Sequence, residues 1–372
     1  MQQNKKAQTR RRFLSSTTRA AAAVVTSTAL GRSLSATVPR ETVPRERIKI
    51  GQIGVGHAHA AGKMNSYRRS PDYEVVGVVE PDPELRRAHE GSATYRDLRW
   101  MSREELLNTP GLQAVAVETR VRDLLEAAES CIEAGVHIHL DKPAGSSLPR
   151  FRRLLEAARR KSLVVQMGYM YRYNPAVVLM RELLSKGWLG EPFEVHTVMS
   201  KVVRRSSREG LGEFAGGIMF ELGCHIIDIL VAVLGKPEKV TPFYRHSSPI
   251  DDELRDNMLA VCEYPRAVAS VKSSAQEVEG FARRHFVLCG TEGTIHIQPL
   301  DHPAARLALS RARGSYRAGY QDVHFPRYTR YVGDAKDLAR IIRGEKAADF
   351  SPDHDLAVQD TVLRAAGMPV GE

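Results

Sequence analysis

Few stretches leave a chain as little freedom as Ile48-Lys49-Ile50-Gly51-Gln52-Ile53-Gly54-Val55-Gly56-His57-Ala58-His59. Ile48, Ile50 and Ile53 read as a short buried strand, Gly54 and Gly56 turn the chain, and Ala58 to Met64 reads as the start of a helix. A strand, a Gly-x-Gly turn and a helix, in that order, form the opening of a dinucleotide-binding unit. The first glycine permits the tight turn and the second lets backbone approach a pyrophosphate. Free N–H groups and the positive end of the helix dipole then hold the phosphate charge. Gly54, Gly56, His57, Ala58 and His59 are therefore candidate cofactor-binding residues. His59 stands where a third glycine would complete Gly-x-Gly-x-x-Gly, so the motif is incomplete and needs support from the rest of the chain.

The order of elements supplies that support. Glu74 to Val79 reads as a strand ending in Glu80-Pro81-Asp82. Dinucleotide folds place an acid at this point against the adenosine ribose; Glu80 there disfavours a 2′-phosphate, so NAD is expected ahead of NADP. The alternative for Glu80 is a plain strand-end turn carboxylate. A helix over Pro83–His89 comes next, then a capping box from Ser102 to Glu105. A strand over Val115–Val117 delivers Glu118 and Thr119. After a helix from Asp123 to Ala134, a strand over Val136–Leu140 delivers Asp141-Lys142-Pro143 at its carboxyl end, where open α/β sheets bind ligands. A helix over Arg150–Arg160 and a strand over Leu163–Gln166 close the unit. The fold expected is α/β: a doubly wound parallel Rossmann sheet over 48–166, then an α+β domain over 167–350 with a large, mostly antiparallel sheet. The strands of that second sheet are read over 193–203, 258–264, 267–274, 285–289 and 294–297. Amphipathic helices lie over 334–342 and 353–366, the second within a closing segment 351–372.

The 372 residues carry a formal charge of +10, which raises the question of nucleic acid. Lys5, Lys6, Arg10, Arg11, Arg12, Arg19 and Arg32 lie within residues 1–36, which hold no acids. Without those seven charges the +10 becomes +3, and no basic stripe with interleaved aromatics appears, so a nucleic-acid partner is not expected. Thr9-Arg10-Arg11-Arg12-Phe13-Leu14, the apolar run Ala20–Leu30 and the small residues Ser33–Ala36 read as a twin-arginine export signal over 1–36, with a linker over 37–47. The expected partner is the twin-arginine export machinery and the expected location is the periplasm or beyond. No run is long enough to span a membrane. Cys131, Cys224, Cys262 and Cys289 are widely spaced in apolar surroundings and read as four thiols rather than a disulfide framework.

Taken together, the Gly-x-Gly turn, Glu80 and Asp141-Lys142-Pro143 resemble the Gfo/Idh/MocA family. So do Met170-Tyr171-Arg172-Tyr173-Asn174-Pro175, the glycine-led segment from Gly216 to Asp228, and Cys289-Gly290-Thr291-Glu292-Gly293-Thr294. The resemblance runs from about Ile48 to Ala366. It implies a nicotinamide-dependent oxidoreductase of sugars, inositols or related polyols. It also implies a last helix returning to the first domain, and a homo-oligomer built through the second sheet. Three positions depart from the family pattern. Asp141 replaces a glutamate before Lys-Pro, Glu221 replaces an aspartate four residues before the helix histidine, and Thr119-Arg120-Val121 replaces Thr-Pro-Asn.

Glu221, His225 and Asp228 are spaced four then three and share one face of a helix among apolar neighbours. The alternative for this stripe is a hydrogen-bonded core network. Oxidising a secondary alcohol moves a hydride to the nicotinamide and a proton to a base titrating near working pH. His225 is the expected base, with Glu221 orienting it. Lys142 is expected to hydrogen-bond the reacting oxygen and the nicotinamide-side ribose, with Asp141 and Thr119 beside it in the cofactor site. Arg172 and Asp228 are expected to grip substrate hydroxyls. The histidine pairs His57/His59 and His137/His139 are read as loop and packed residues, with no metal. Lys201, Arg204, Arg205 and Arg208 read as a solvated basic loop, with a grip on an acidic sugar as the alternative. Two further functions compete: a glycoside hydrolase or lyase that oxidises its sugar transiently on NAD, and a non-catalytic nucleotide- and sugar-binding protein.

Overall fold

Five short apolar runs build the first sheet in a computed structural model that describes residues 45–371. They are β1 (Ile48–Ile53), β2 (Tyr73–Val79), β3 (Ala114–Val117), β4 (His137–Leu140) and β5 (Val165–Met167), all parallel, in the order β2-β1-β3-β4-β5. Ala114-Val115-Ala116-Val117 is buried at every position, as a central strand covered on both faces must be. The winding reverses between β1 and β3, so their carboxyl ends flank a topological switch point, the place where such sheets bind ligands. Residues 1–36, expected to be an export signal, and all but the end of the expected linker lie outside the described residues.

The second sheet has eight strands: β6 (Pro192–Val198), β7 (Lys239–Arg245), β8 (Asn257–Glu263), β9 (Val268–Ser274), β10 (His285–Gly290), β11 (Gly293–Ile297), β12 (Ala304–Leu309) and β13 (Gly319–His324). Its order is β13-β12-β11-β10-β6-β9-β8-β7, and only β6 and β9 pair in parallel. Alternation decides its faces: Met258, Ala260 and Cys262 point inward, Leu259 and Val261 outward. The helix Cys224–Leu234 is buried along its first eight residues against this inner face. The helix Pro352–Ala365 packs on Cys224–Leu234, on β7 and on the helix Leu148–Arg160 of the first layer. Among the described residues, no helix is long and apolar enough to cross a membrane.

Several expectations shift. The strand expected over 193–203 stops at Val198; Val202 keeps a single bridge to Gln276. The basic stretch 201–208 is not all solvated loop. Residues Arg205–Gly212 form a helix, and Arg208 is buried, its guanidinium 2.9 Å from both Asp252 and Asp256. The helix expected to carry Glu221, His225 and Asp228 begins with a π turn, Met219–Gly223, before the α-helical Cys224–Leu234. The helix expected from Arg150 starts at Leu148, capped by Ser147. The helix Pro175–Ser185 and strands β7, β12 and β13 lie outside the ranges read from sequence. All four cysteines are free thiols, three of them buried.

Candidate active site

Gly54 has φ +90°, and a Cβ there would stand 2.5 Å from the backbone of Thr119, so the β1 turn tolerates only glycine. At Gly56 a Cβ would meet Arg120 at 3.0 Å. The N–H groups of Gly56 and Ala58 have no hydrogen-bond acceptor among the described residues. His59 precedes the helix Ala60–Arg69 without capping it through its side chain, so the helix start also keeps free donors. This is a cradle for a pyrophosphate. Glu80 accepts from the N–H of Val55 at 2.8 Å and of Asp82 at 3.0 Å, so it braces the turn. With Asp82, Leu85, Thr119 and Arg120 it lines a cavity of about 330 Å³. The features fit a dinucleotide.

A second cavity of about 570 Å³ continues from Gly56, His57 and Ala58 to Lys201, Arg204, Phe214 and Glu221 of the second domain. Beneath it lies a buried charge network. Asp141 accepts from the backbone N–H of Lys142 at 2.6 Å and lies 2.9 Å from His57 Nδ1, 3.2 Å from His59 Nδ1 and 3.1 Å from Lys63 Nζ. Lys63 Nζ also donates to Glu118 at 2.8 Å. Burial works to raise the Asp141 pKa, but His57, Lys63 and His59 outweigh it and hold the carboxyl well below its usual range. Burial, with Asp141 adding to it, pushes Glu118 up. His59 is lowered to about 3, by burial first, and is a neutral imidazole. His57, His59 and Asp141 offer three metal-capable atoms within 4.8 Å of one another, with the Lys63 ammonium already neutralising the carboxylate.

The residues expected to perform chemistry meet here, with changed partners. Lys142 Nζ donates to the Glu221 carbonyl at 2.8 Å and to its carboxylate at 3.1 Å. Burial works to lower the Lys142 pKa, but Glu221 and other neighbours more than offset it, so the ammonium stays protonated. Glu221 therefore orients Lys142, not His225, whose ring has no carboxylate partner among the described residues and whose buried Nδ1 is unbonded. The His225 ring lies 5.5 Å from that of His59 and 5.4 Å from that of Tyr171, and burial, then the charge of Lys142, holds its pKa well below the ordinary value. Arg172 and Asp228 are turned to each other rather than to the cavity: Arg172 Nη2 lies 2.6 Å from both Asp228 and Asp355, and all three are buried. A buried guanidinium leaves water only against such paired carboxylates, which makes these residues an internal clamp. His137 and His139 serve packing, His137 accepting from Val164 N–H and His139 bonding Tyr67. Lys63, the ammonium shared by two buried carboxylates, is the residue that sequence reasoning missed. Its partners are 55 and 78 positions away, with no local signal.

Residues 48–169 match the family model described as an oxidoreductase family with an NAD-binding Rossmann fold, and residues 177–296 match the GFO/IDH/MocA C-terminal domain. The chain belongs to the Gfo/Idh/MocA family. Within that family it is 28% identical over 202 residues to trans-1,2-dihydrobenzene-1,2-diol dehydrogenase of Bos taurus, covering 53% of this chain and 58% of that protein's length. It is 24% identical over 337 residues to scyllo-inositol 2-dehydrogenase (NAD(+)) of Bacillus subtilis, covering 86% of this chain and 94% of that one. The Gfo/Idh/MocA fold superposes on the crystal structure of GenD2 from gentamicin A biosynthesis in complex with NAD, with a TM-score of 0.72 at 21% identity over 89% of this chain and 97% of that one.

Proposed function

We propose that this chain transfers a hydride between NAD and a secondary hydroxyl or ketone of a sugar or polyol. The observation that carries the reading is the buried Lys142–Glu221 pair: Glu221 lines the cavity that begins at the glycine turn, and the charge of Lys142 acts on the buried His225. The diol and inositol dehydrogenases among the relatives support the substrate class. Bound NAD supplies the hydride acceptor; Gly56, Ala58 and the start of the helix Ala60–Arg69 would hold its pyrophosphate, and Glu80 its adenosine end, which favours NAD over NADP.

The chain's own part is orientation and proton handling. The Lys142 ammonium, charged and aimed by Glu221, donates to the reacting oxygen and stabilises negative charge as the hydroxyl loses its proton. His225, which burial keeps neutral and so able to accept, takes that proton only in passing, since the same burial disfavours its cation. Asp141 holds the backbone of Lys142 and the two loop histidines in place. The test is NADH formation by the full chain with NAD and a panel of sugars, inositols and diols. Oxidation of at least one member is expected. Absence of both nucleotide binding and NADH formation overturns the reading. We propose in addition that residues 1–36 direct export by the twin-arginine route; replacing Arg11 and Arg12 with lysine should retain the protein in the cytoplasmic fraction.

A further inference from the structure

The cations along the cavity are not equally compensated. Arg120 lies 3.2 Å from Asp82 and Arg122 lies 3.2 Å from Glu213, and the buried Lys142 behind the lining lies 3.1 Å from Glu221. Lys201, half-buried, and Arg204, at the exposed mouth, line the same cavity, and among the described residues their side chains have neither an ion-pair partner nor a hydrogen bond. Lys201 is half-buried, and burial, then the charge of Lys142, holds its ammonium below its ordinary pKa. A partly desolvated ammonium acted on by a second ammonium is costly, and the nearby Glu221 carboxylate is already paired with Lys142.

The position of Lys201 is fixed. Its N–H bonds the Ser274 carbonyl at 3.0 Å, and the N–H of Val203 bonds Ala275 at 2.8 Å, so the backbone under the side chain is tied to the end of β9. The charges that act on Lys201 are those of Lys142, Glu221 and Arg284. None of them belongs to the glycine turn or to the Glu80 end. The pyrophosphate of a dinucleotide is provided for elsewhere, by the free N–H groups of Gly56 and Ala58. Ser273, next to Ser274, donates to the Ile218 carbonyl at 3.3 Å and packs against Gly223, so Lys201 stands by the turn that presents Glu221 to the cavity.

We propose that the substrate carries an anionic group, a carboxylate or a phosphate, which sits on Lys201 and Arg204 while the hydroxyl beside Lys142 reacts. The inference rests on the hydride-transfer reading of the same cavity. Titration calorimetry on the NAD-loaded full chain tests it, with neutral hexoses, the matching hexuronates and the matching hexose phosphates as probes. At least one anionic series should bind about 10-fold or more tightly than its neutral counterpart, the range a charge-assisted hydrogen bond provides. Which series gains distinguishes carboxylate from phosphate. Lys201→Met and Arg204→Gln should each erase much of that preference, and Lys201→Arg should restore part of it. Equal binding of neutral and anionic sugars, or binding of none by protein that holds NAD, overturns the anionic substrate. If neutral sugars still yield NADH, the hydride-transfer reading survives. Failure to hold NAD at all removes that reading and the inference with it.

Discussion

Replacing Lys142 should separate nucleotide binding from chemistry. Its ammonium is protonated and held by Glu221, and among the described residues no other lysine or arginine bonds the Glu221 carboxylate. Lys142→Met is expected to lower kcat by about 100–1,000-fold, the usual effect of removing one donor from a developing oxyanion, while nucleotide fluorescence still reports binding. Turnover within a few-fold of the parent would exclude Lys142 from the chemistry. A second expectation concerns pH. Because His225 titrates well below its ordinary value of 6.5, it stays neutral through that region, and kcat/KM for oxidation should show no acid limb near pH 6.5. An acid limb there would assign the base to a group other than His225. At this scale, legibility depended on distance along the chain. The need for glycine at 54 and the delivery of Lys142 at a strand end are local and were readable. The clamp on Arg172 was not, since Asp355 lies 183 positions away and only the folded chain joins them.

Among the elements, the helix Val332–Ile342 carries an unusual load on stability. Tyr331 enters it with φ 68°, and Asp334 in its first turn is buried with neither carboxylate oxygen hydrogen-bonded. Burial raises the Asp334 pKa from 3.8 to about 7, with Lys63 partly opposing. The unfolded chain releases this proton near pH 3.8 and the folded chain near 7, so the folded state loses stability as pH rises between those values and no further above them. Asp334→Asn should therefore raise Tm at pH 8, by on the order of 2–4 kcal/mol of stability, and change it little at pH 4. Thermal melts at the two pH values decide it, and an equal shift at both would remove the explanation. The elements themselves were legible where periodicity was strong. β1 to β4 alternate with helices, and Ser102 with Glu105 forms its capping box as read. β7, β12 and β13 escaped because they lie toward one edge or the other of the second sheet, where outward residues such as Arg245, Arg306 and Asp322 dilute the apolar pattern. The π turn at Met219–Gly223 leaves no signature in composition, and it is where the Lys142 partner is presented.

At the scale of the whole molecule, one broad surface has no layer over it among the described residues. Helices cover the inner face of the second sheet. On the outer face, residues pair in a row across the strands, Val261 to Ser270 to His196 to Val287 to His296. Leu259, Val261 and Val287 are half-buried there, and Phe243 and Tyr320 are 51% and 61% exposed. An eight-stranded sheet with aliphatic and aromatic side chains on its outer face is more apolar than a free surface needs to be. A second copy of the same chain would meet it with a self-complementary face, since a two-fold interface sets the same patch of each subunit against the other. We expect a dimer or larger assembly at micromolar concentration in sedimentation velocity. Val287→Arg, placed at the middle of the row, should shift the species to monomer while NAD binding persists, because the glycine turn and the charge network belong to other layers. A monomeric parent protein would mean that this face is solvated after all, and that its apolar residues are held apart by the charged ones between them.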